Sequence, residues 1–183
     1  MIPSSADSDG ELAARSIAGD QRAFAQIVGR HKQFLYGLTA RLVGDPDDAL
    51  DLVQEAFVSA HGALKRYDPA RPMRTWLARI AINKARDWRR KERVRAVLRS
   101  VLPLGNVPDV AADQVPVDRQ VSDRAELDAV RGKIARMPAK LREVLVLRTI
   151  EELPQAQVAE MLGISEKSVE TRLYRARRHL ADR

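Results

Sequence analysis

The side chains that do acid–base or nucleophilic chemistry are thinly spread along this sequence. Its three histidines, His31, His61 and His179, are scattered, and it has no cysteine. It contains no glycine-rich phosphate loop, nucleophile elbow or metal-spaced histidine pair. One acidic cluster, Asp47, Asp48, Asp51 and Glu55, has no histidine nearby to complete a metal ligand set. What the sequence concentrates is positive charge. Residues 71–99 hold eleven Arg and Lys against Asp87 and Glu92, a local +9, and residues 166–183 carry +3. The acidic stretch 100–130, at −4, separates them. These residues suit two polyanion contacts on one chain, with no catalysis, metal or cofactor. Two solvated basic helix faces are the plainer account of the same pattern.

The second basic segment lies in QAQVAEMLGISEKSVETRLYRARRHL, residues 155–180. A helix-turn-helix needs a small residue where its helices approach, a turn residue tolerant of positive φ, and apolar anchors on both sides. Ala159 is the small residue and Gly163 the turn, while Val158, Leu162, Ile164 and Val169 are the anchors. Ser165 caps the second helix, and Glu166 suits its positive end. At about 100° per residue, Val169, Leu173, Ala176 and Leu180 share a buried stripe. Lys167, Thr171, Tyr174 and Arg178 lie opposite, flanked by Glu170 and Arg175. A recognition helix turns its first outward residues to base edges and its later ones to phosphates. Lys167, Glu170 and Thr171 are therefore expected to read bases, and Arg172, Arg175 and Arg178 to hold phosphates. Glu170 either accepts from a cytosine amino group or pairs with Lys167 or Arg177.

The first basic segment, RPMRTWLARIAINKARDWRRKERVR, mixes two tryptophans with arginines. On a wheel centred on Leu77, Met73, Ala81 and Trp88 fall within about 40°, so Trp88 is a core residue. Arg79, Arg86, Arg90 and Arg93 face outward. Trp76 lies about 100° from Leu77, beside Asn83 and the arginine face. A tryptophan there either stacks on an unpaired base, while arginines hold the strand, or packs under the preceding loop. Lys84 falls mid-stripe and must snorkel, or the helix must bend.

The elements that position these residues are helical. Aromatics are only 4% of the chain, and apolar residues recur at threes and fours. Gly19-Asp20 separates a short helix from a long one, and Asp45-Pro46 starts the next. That helix buries Ala49, Leu52, Val53, Ala56, Phe57, Ala60 and Leu64, leaving Asp51, Gln54 and Glu55 free to meet a basic partner. Prolines 69 and 72 make a loop, and a long helix follows from about Arg74 to Arg95. Further breaks fall at Met137-Pro138 and Leu153-Pro154. The expected fold is all-α: a mobile N-terminus (1–10), a helical domain (11–96), an acidic flexible linker (97–122) and a second helical domain (123–183). No apolar run is long enough to span a membrane and no signal pattern opens the chain, so a soluble, cytoplasmic protein is expected.

Three blocks carry a family resemblance: DLVQEAFVSAHGAL, then TWLARIAINKARDWRRK, then LREVLVLRTIEELPQAQVAEMLGISEKSVETRLYRARRHL. In this order and spacing they resemble an extracytoplasmic-function sigma factor of bacterial RNA polymerase. The resemblance implies two helical domains, region two and region four. Region two would recruit core polymerase and open the −10 element as single-stranded DNA, and region four would read the −35 element as duplex. It places Leu50, Asp51, Gln54 and Glu55 against the clamp coiled coil of the polymerase β′ subunit. It places Trp76, Arg79, Asn83, Arg86 and Arg90 on the −10 strand, and Lys167, Glu170, Thr171, Arg172, Tyr174, Arg175 and Arg178 on the −35 element. It also implies an anti-sigma factor as partner. Met73 stands where the family often has Phe, and Glu170 where it usually has Lys or Arg. A stand-alone helix-turn-helix regulator is the alternative, and a purely protein-binding helical adaptor a third class.

Overall fold

The computed structural model describes residues 7–101, 130, 132–134 and 136–181, and among these there is no strand. Helix α1 (Asp9–Ile17) begins with a reciprocal cap. The Ser8 hydroxyl accepts from the Glu11 amide, and the Glu11 carboxylate accepts from the Ser8 amide at 2.6 Å. Gly19, at φ 104°, turns the chain, and Asp20 caps α2 (Gln21–Val43) through the amides of Arg22 and Ala23. Gly44 ends α2 in the left-handed conformation, and Asp45 then caps α3 (Pro46–Ala63), whose proline occupies the first turn. A single 3₁₀ turn, Leu64–Arg66, and the proline loop lead into α4 (Met73–Val101).

These helices close over Leu12, Ile27, Leu35, Phe57, Met73 and Leu77. Each such large apolar side chain, fully buried, contributes about 1.5–3 kcal/mol. Helix α4 runs six residues past the expected end at Arg95, into the stretch expected as linker. Arg90–Asp87 and Arg95–Glu92 ion pairs, three residues apart, line the turns just before that extension. Residues 102–122 of the expected linker, and 1–6 of the expected mobile N-terminus, lie outside the described residues.

The C-terminal unit is α5 (Ala139–Leu145), which passes directly into a π-helical turn (Val146–Ile150), then α6 (Gln155–Leu162) and α7 (Glu166–Ala181). Pro138 and Pro154 stand at the N-caps of α5 and α6, where the expected breaks fall. The two units touch. Leu38, Leu42, Ala78 and Ile82 share one apolar cluster with Val144, Leu147, Val158 and Leu162. Arg142 is buried in this junction, 2% exposed, and donates to the carbonyl of Leu42 at 2.7 Å and that of Met137 at 3.0 Å. Arg89 donates to the same Leu42 carbonyl. Two guanidinium groups thus meet a C-terminal carbonyl of α2, where helix dipole and unpaired acceptors favour cations.

Candidate nucleic-acid and protein-binding surfaces

The helix-turn-helix forms as its spacing requires. Gly163 takes φ 66° and ψ 42°, and its amide closes α6 on Ala159 and Glu160. Ser165 accepts from the Ser168 amide at 3.2 Å, capping α7. Val158, Ala159, Leu162, Val169 and Ala176 are buried, with Leu173 and Leu180 packed beside them. Lys167, Glu170, Thr171, Tyr174, Arg175 and Arg178 are exposed, Tyr174 by 63%, and Arg172 is half-buried. The Thr171 hydroxyl donates back to the Lys167 carbonyl. Among the described residues Glu170 makes no ion pair, so the pairing with Lys167 or Arg177 that would occupy it is not formed. The outward face of α7 is therefore open, with Glu170 bare among its cations.

On α4, the side chains divide differently from the wheel. Arg79, Asn83 and Arg90 are exposed as expected. Arg86 is not free on the outer face. Its Nε and Nη2 donate to the two Glu143 carboxylate oxygens at 2.8 and 2.6 Å. The Glu143 hydrogen bond raises the Arg86 guanidinium pKa above its usual value, whereas burial lowers that of Arg89. The wheel could not show this, because the partner lies 57 residues away on another helix. Trp76 is half-buried, with its ring tilted 50° to Tyr67 at 5.2 Å. The Tyr67 hydroxyl donates to the Arg71 carbonyl at 2.7 Å, tying down the loop beneath which Trp76 packs. Trp88 is partly buried against the core and donates from Nε1 to Asp48 at 3.0 Å. Lys84 reaches solvent's edge and pairs with Glu55 at 3.3 Å.

Helix α3 presents a third surface. Leu50 is 51% exposed and Val58 74%, and Asp51, Gln54 and Glu55 are exposed with them. Leu50, Gln54 and Val58 follow one another at four-residue steps, so they form one ridge. The sequence pattern alone does not single out Val58. The available signal was its absence from the buried stripe while standing one turn beyond Gln54. Among the described residues no group of His, Asp or Glu is placed to hold a metal ion. No described helix is long and apolar enough to cross a membrane.

Residues 27–95 match the family described as Sigma-70 region 2, and residues 127–180 the family described as Sigma-70, region 4. The RNA polymerase sigma factor CnrH of Cupriavidus metallidurans is 42% identical over 179 residues, covering 96% of this chain and 93% of its own. The ECF RNA polymerase sigma factor SigW of Bacillus subtilis is 35% identical, covering 88% of this chain and 89% of its own. A solved structure of CnrH in complex with the cytosolic domain of CnrY is similar to this one with a TM-score of 0.67 at 35% identity, covering 96% of each chain.

Proposed function

The chain belongs to the extracytoplasmic-function sigma factors of bacterial RNA polymerase, within the sigma-70 family, and on that premise we propose how its surfaces divide the choice of a promoter. As a sigma factor it binds core polymerase and directs promoter recognition. The unit spanning residues 11–96 engages the polymerase and the −10 element, and residues 123–183 engage the −35 element. The α3 ridge of Leu50, Asp51, Gln54 and Glu55 meets the β′ clamp coiled coil. Trp76, Arg79, Asn83, Arg86 and Arg90 hold the opened −10 strand, through a ring that can stack and arginines that neutralise phosphates. Lys167, Glu170 and Thr171 read base edges of the −35 duplex, Tyr174 lies beside them, and Arg172, Arg175 and Arg178 hold its backbone.

The observation that carries this division is the open outward face of α7 on a formed helix-turn-helix, distinct from the exposed ridge of α3. RNA synthesis itself belongs to the polymerase, so this chain acts in the cytoplasm as a specificity subunit without catalysis of its own. CnrH is solved bound to the cytosolic domain of CnrY, and a protein antagonist of the anti-sigma kind is the corresponding partner here.

The test is reconstitution of the purified chain with core polymerase on genomic DNA, followed by mapping of RNA 5′ ends. New start sites that share −35 and −10 sequences are expected. The absence of both core binding and redirected initiation would overturn the proposal. Tight polymerase-free binding to duplex DNA, without redirected initiation, would mark a stand-alone regulator instead.

A further inference from the structure

The match to Sigma-70 region 2 begins at residue 27, so α1 lies outside it. The first turn of α1 is nevertheless held from two sides. From α2, His31 Nε2 donates to Asp9 Oδ2 at 2.8 Å, and Arg30 Nη1 donates to Asp9 Oδ1 at 3.1 Å. The same Arg30 nitrogen donates to the Asp7 carbonyl at 2.7 Å. From the other side comes the proline loop. A Cβ placed on Gly10 would stand 3.3 Å from the Cβ of Pro69, closer than ordinary van der Waals contact. The loop therefore rests directly on α1, and a side chain at position 10 would have to push it away.

The loop itself is a stiff turn. Asp68 Oδ1 accepts from the Ala70 amide at 3.0 Å, and the Asp68 carbonyl accepts from the Arg71 amide at 3.0 Å. The Tyr67 hydroxyl closes the turn on the Arg71 carbonyl, and the Tyr67 ring supports that of Trp76. Burial, then the charges of Asp9 and Asp68, raise the Tyr67 phenol above its usual pKa, which places Asp9 within electrostatic reach of this ring. A cleft of about 490 Å³ opens between the first turn of α1 and the loop, and Gly10 and Pro69 both line it, so their approach sets its width. A displacement of Pro69 moves the turn as one piece and carries Tyr67 and Trp76 with it. We propose that Asp9 and Gly10 are positioning residues for opening of the −10 element: α1 is the backstop that fixes the proline loop and, through Tyr67, the ring of Trp76. The proposal rests on the reading that Trp76 meets the opened strand.

The test assembles the full chain with core polymerase on a promoter carrying 2-aminopurine in its −10 element, and separates closed-complex affinity from the rate of opening. Gly10→Leu sets a side chain against Pro69, and Asp9→Ala releases the first turn from Arg30 and His31. Each should slow opening about tenfold, as small displacements of a positioned group do. Core affinity and closed-complex affinity should stay within about twofold of the wild type. Asp9→Asn, which keeps an acceptor oxygen for α2, should recover most of the rate. In a Trp88→Phe background, emission from Trp76 in the free chain should shift in Gly10→Leu and Asp9→Ala but not in Asp9→Asn. Normal opening with unshifted emission in the first two variants overturns the proposal. So does a loss of core affinity equal to the loss of opening, since that marks a general loosening of the N-terminal unit. If Trp76→Ala opens the promoter as the wild type does, the −10 reading of Trp76 falls instead.

Discussion

Arg86 and Glu143 form a two-pronged ion pair, at 2.8 and 2.6 Å, between the long basic helix α4 and helix α5 of the C-terminal unit. The pair lies above an apolar layer that both units share. Its geometry is the strong kind of guanidinium–carboxylate contact, and burial of Glu143 shields it from salt. A double-mutant cycle of Glu143→Gln with Arg86→Met, followed by urea unfolding, should return a coupling of about 0.5–3 kcal/mol. Additive single effects would show that the pair does not hold the units together.

The ridge on α3 should govern binding to core polymerase. Leu50 and Val58 are exposed apolar side chains beside Asp51, Gln54 and Glu55. Asp51→Arg, Gln54→Ala and Val58→Glu should each weaken core binding about tenfold, near 1.4 kcal/mol, without lowering thermal stability. Fluorescence-detected titration of labelled sigma with core measures this. Unchanged affinity in all three would remove this face from the polymerase interface.

Trp76 rests on Tyr67, with ring centroids 5.2 Å apart. To stack on an unpaired base it must leave part of that contact. In a Trp88→Phe background Trp76 is the sole tryptophan, since the chain has two. Loss of the Trp88 bond to Asp48 should cost only about 1 kcal/mol. Emission from Trp76 should be quenched when the labelled chain, assembled with core, opens a promoter, and should be unchanged by closed duplex. Equal response to both would place Trp76 as a packing residue only.

Acid should loosen α1 before the rest of the N-terminal unit. The Ser8 amide, and then its hydroxyl, hold the Glu11 carboxyl below its usual value, and Arg15 does the same for Asp20. A carboxyl depressed in the folded state contributes stability above its unfolded pKa and loses it as pH falls through the folded pKa. Amide exchange in α1 should therefore accelerate below the ordinary carboxylate range, and Glu11→Gln should flatten that dependence. An α1 whose protection tracks the global core at every pH would contradict this.

Much of this architecture is legible in local sequence. Asp45-Pro46, Gly163 and Ser165 carry their own backbone and capping chemistry, so helix starts and the helix-turn-helix follow from short stretches. The buried stripe of α3 follows from periodicity alone. What stays hidden is non-local. Arg86 looks outward on a wheel because the wheel contains only α4, while its partner comes from α5. Arg142 reads as an ordinary surface arginine until α2 presents its terminal carbonyl to it. The extension of α4 through Val101 is hidden for a related reason. The first proline after the helix start stands only at 103, and helix-forming residues fill the interval from Arg95.

Glu170 should act as a base reader rather than a surface charge. It stands in the outward first half of α7, exposed and without an ion pair among the described residues. A carboxylate placed there gains nothing from phosphates, which repel it, but it can accept from the exocyclic amine of cytosine in the major groove. Lys167, one turn earlier, and Thr171, beside it, give the same face donors for neighbouring acceptors. One −35 position should therefore demand cytosine opposite Glu170, with other bases costing about 1–3 kcal/mol. Glu170→Ala should erase that preference while leaving the other positions selective. Glu170→Lys should raise affinity for mixed-sequence duplex and steepen its salt slope by about 0.9, as one added phosphate contact would. Reconstituted initiation from a library randomised across the −35 element measures each outcome. If wild type and Glu170→Ala select the same sequences, Glu170 does not read DNA.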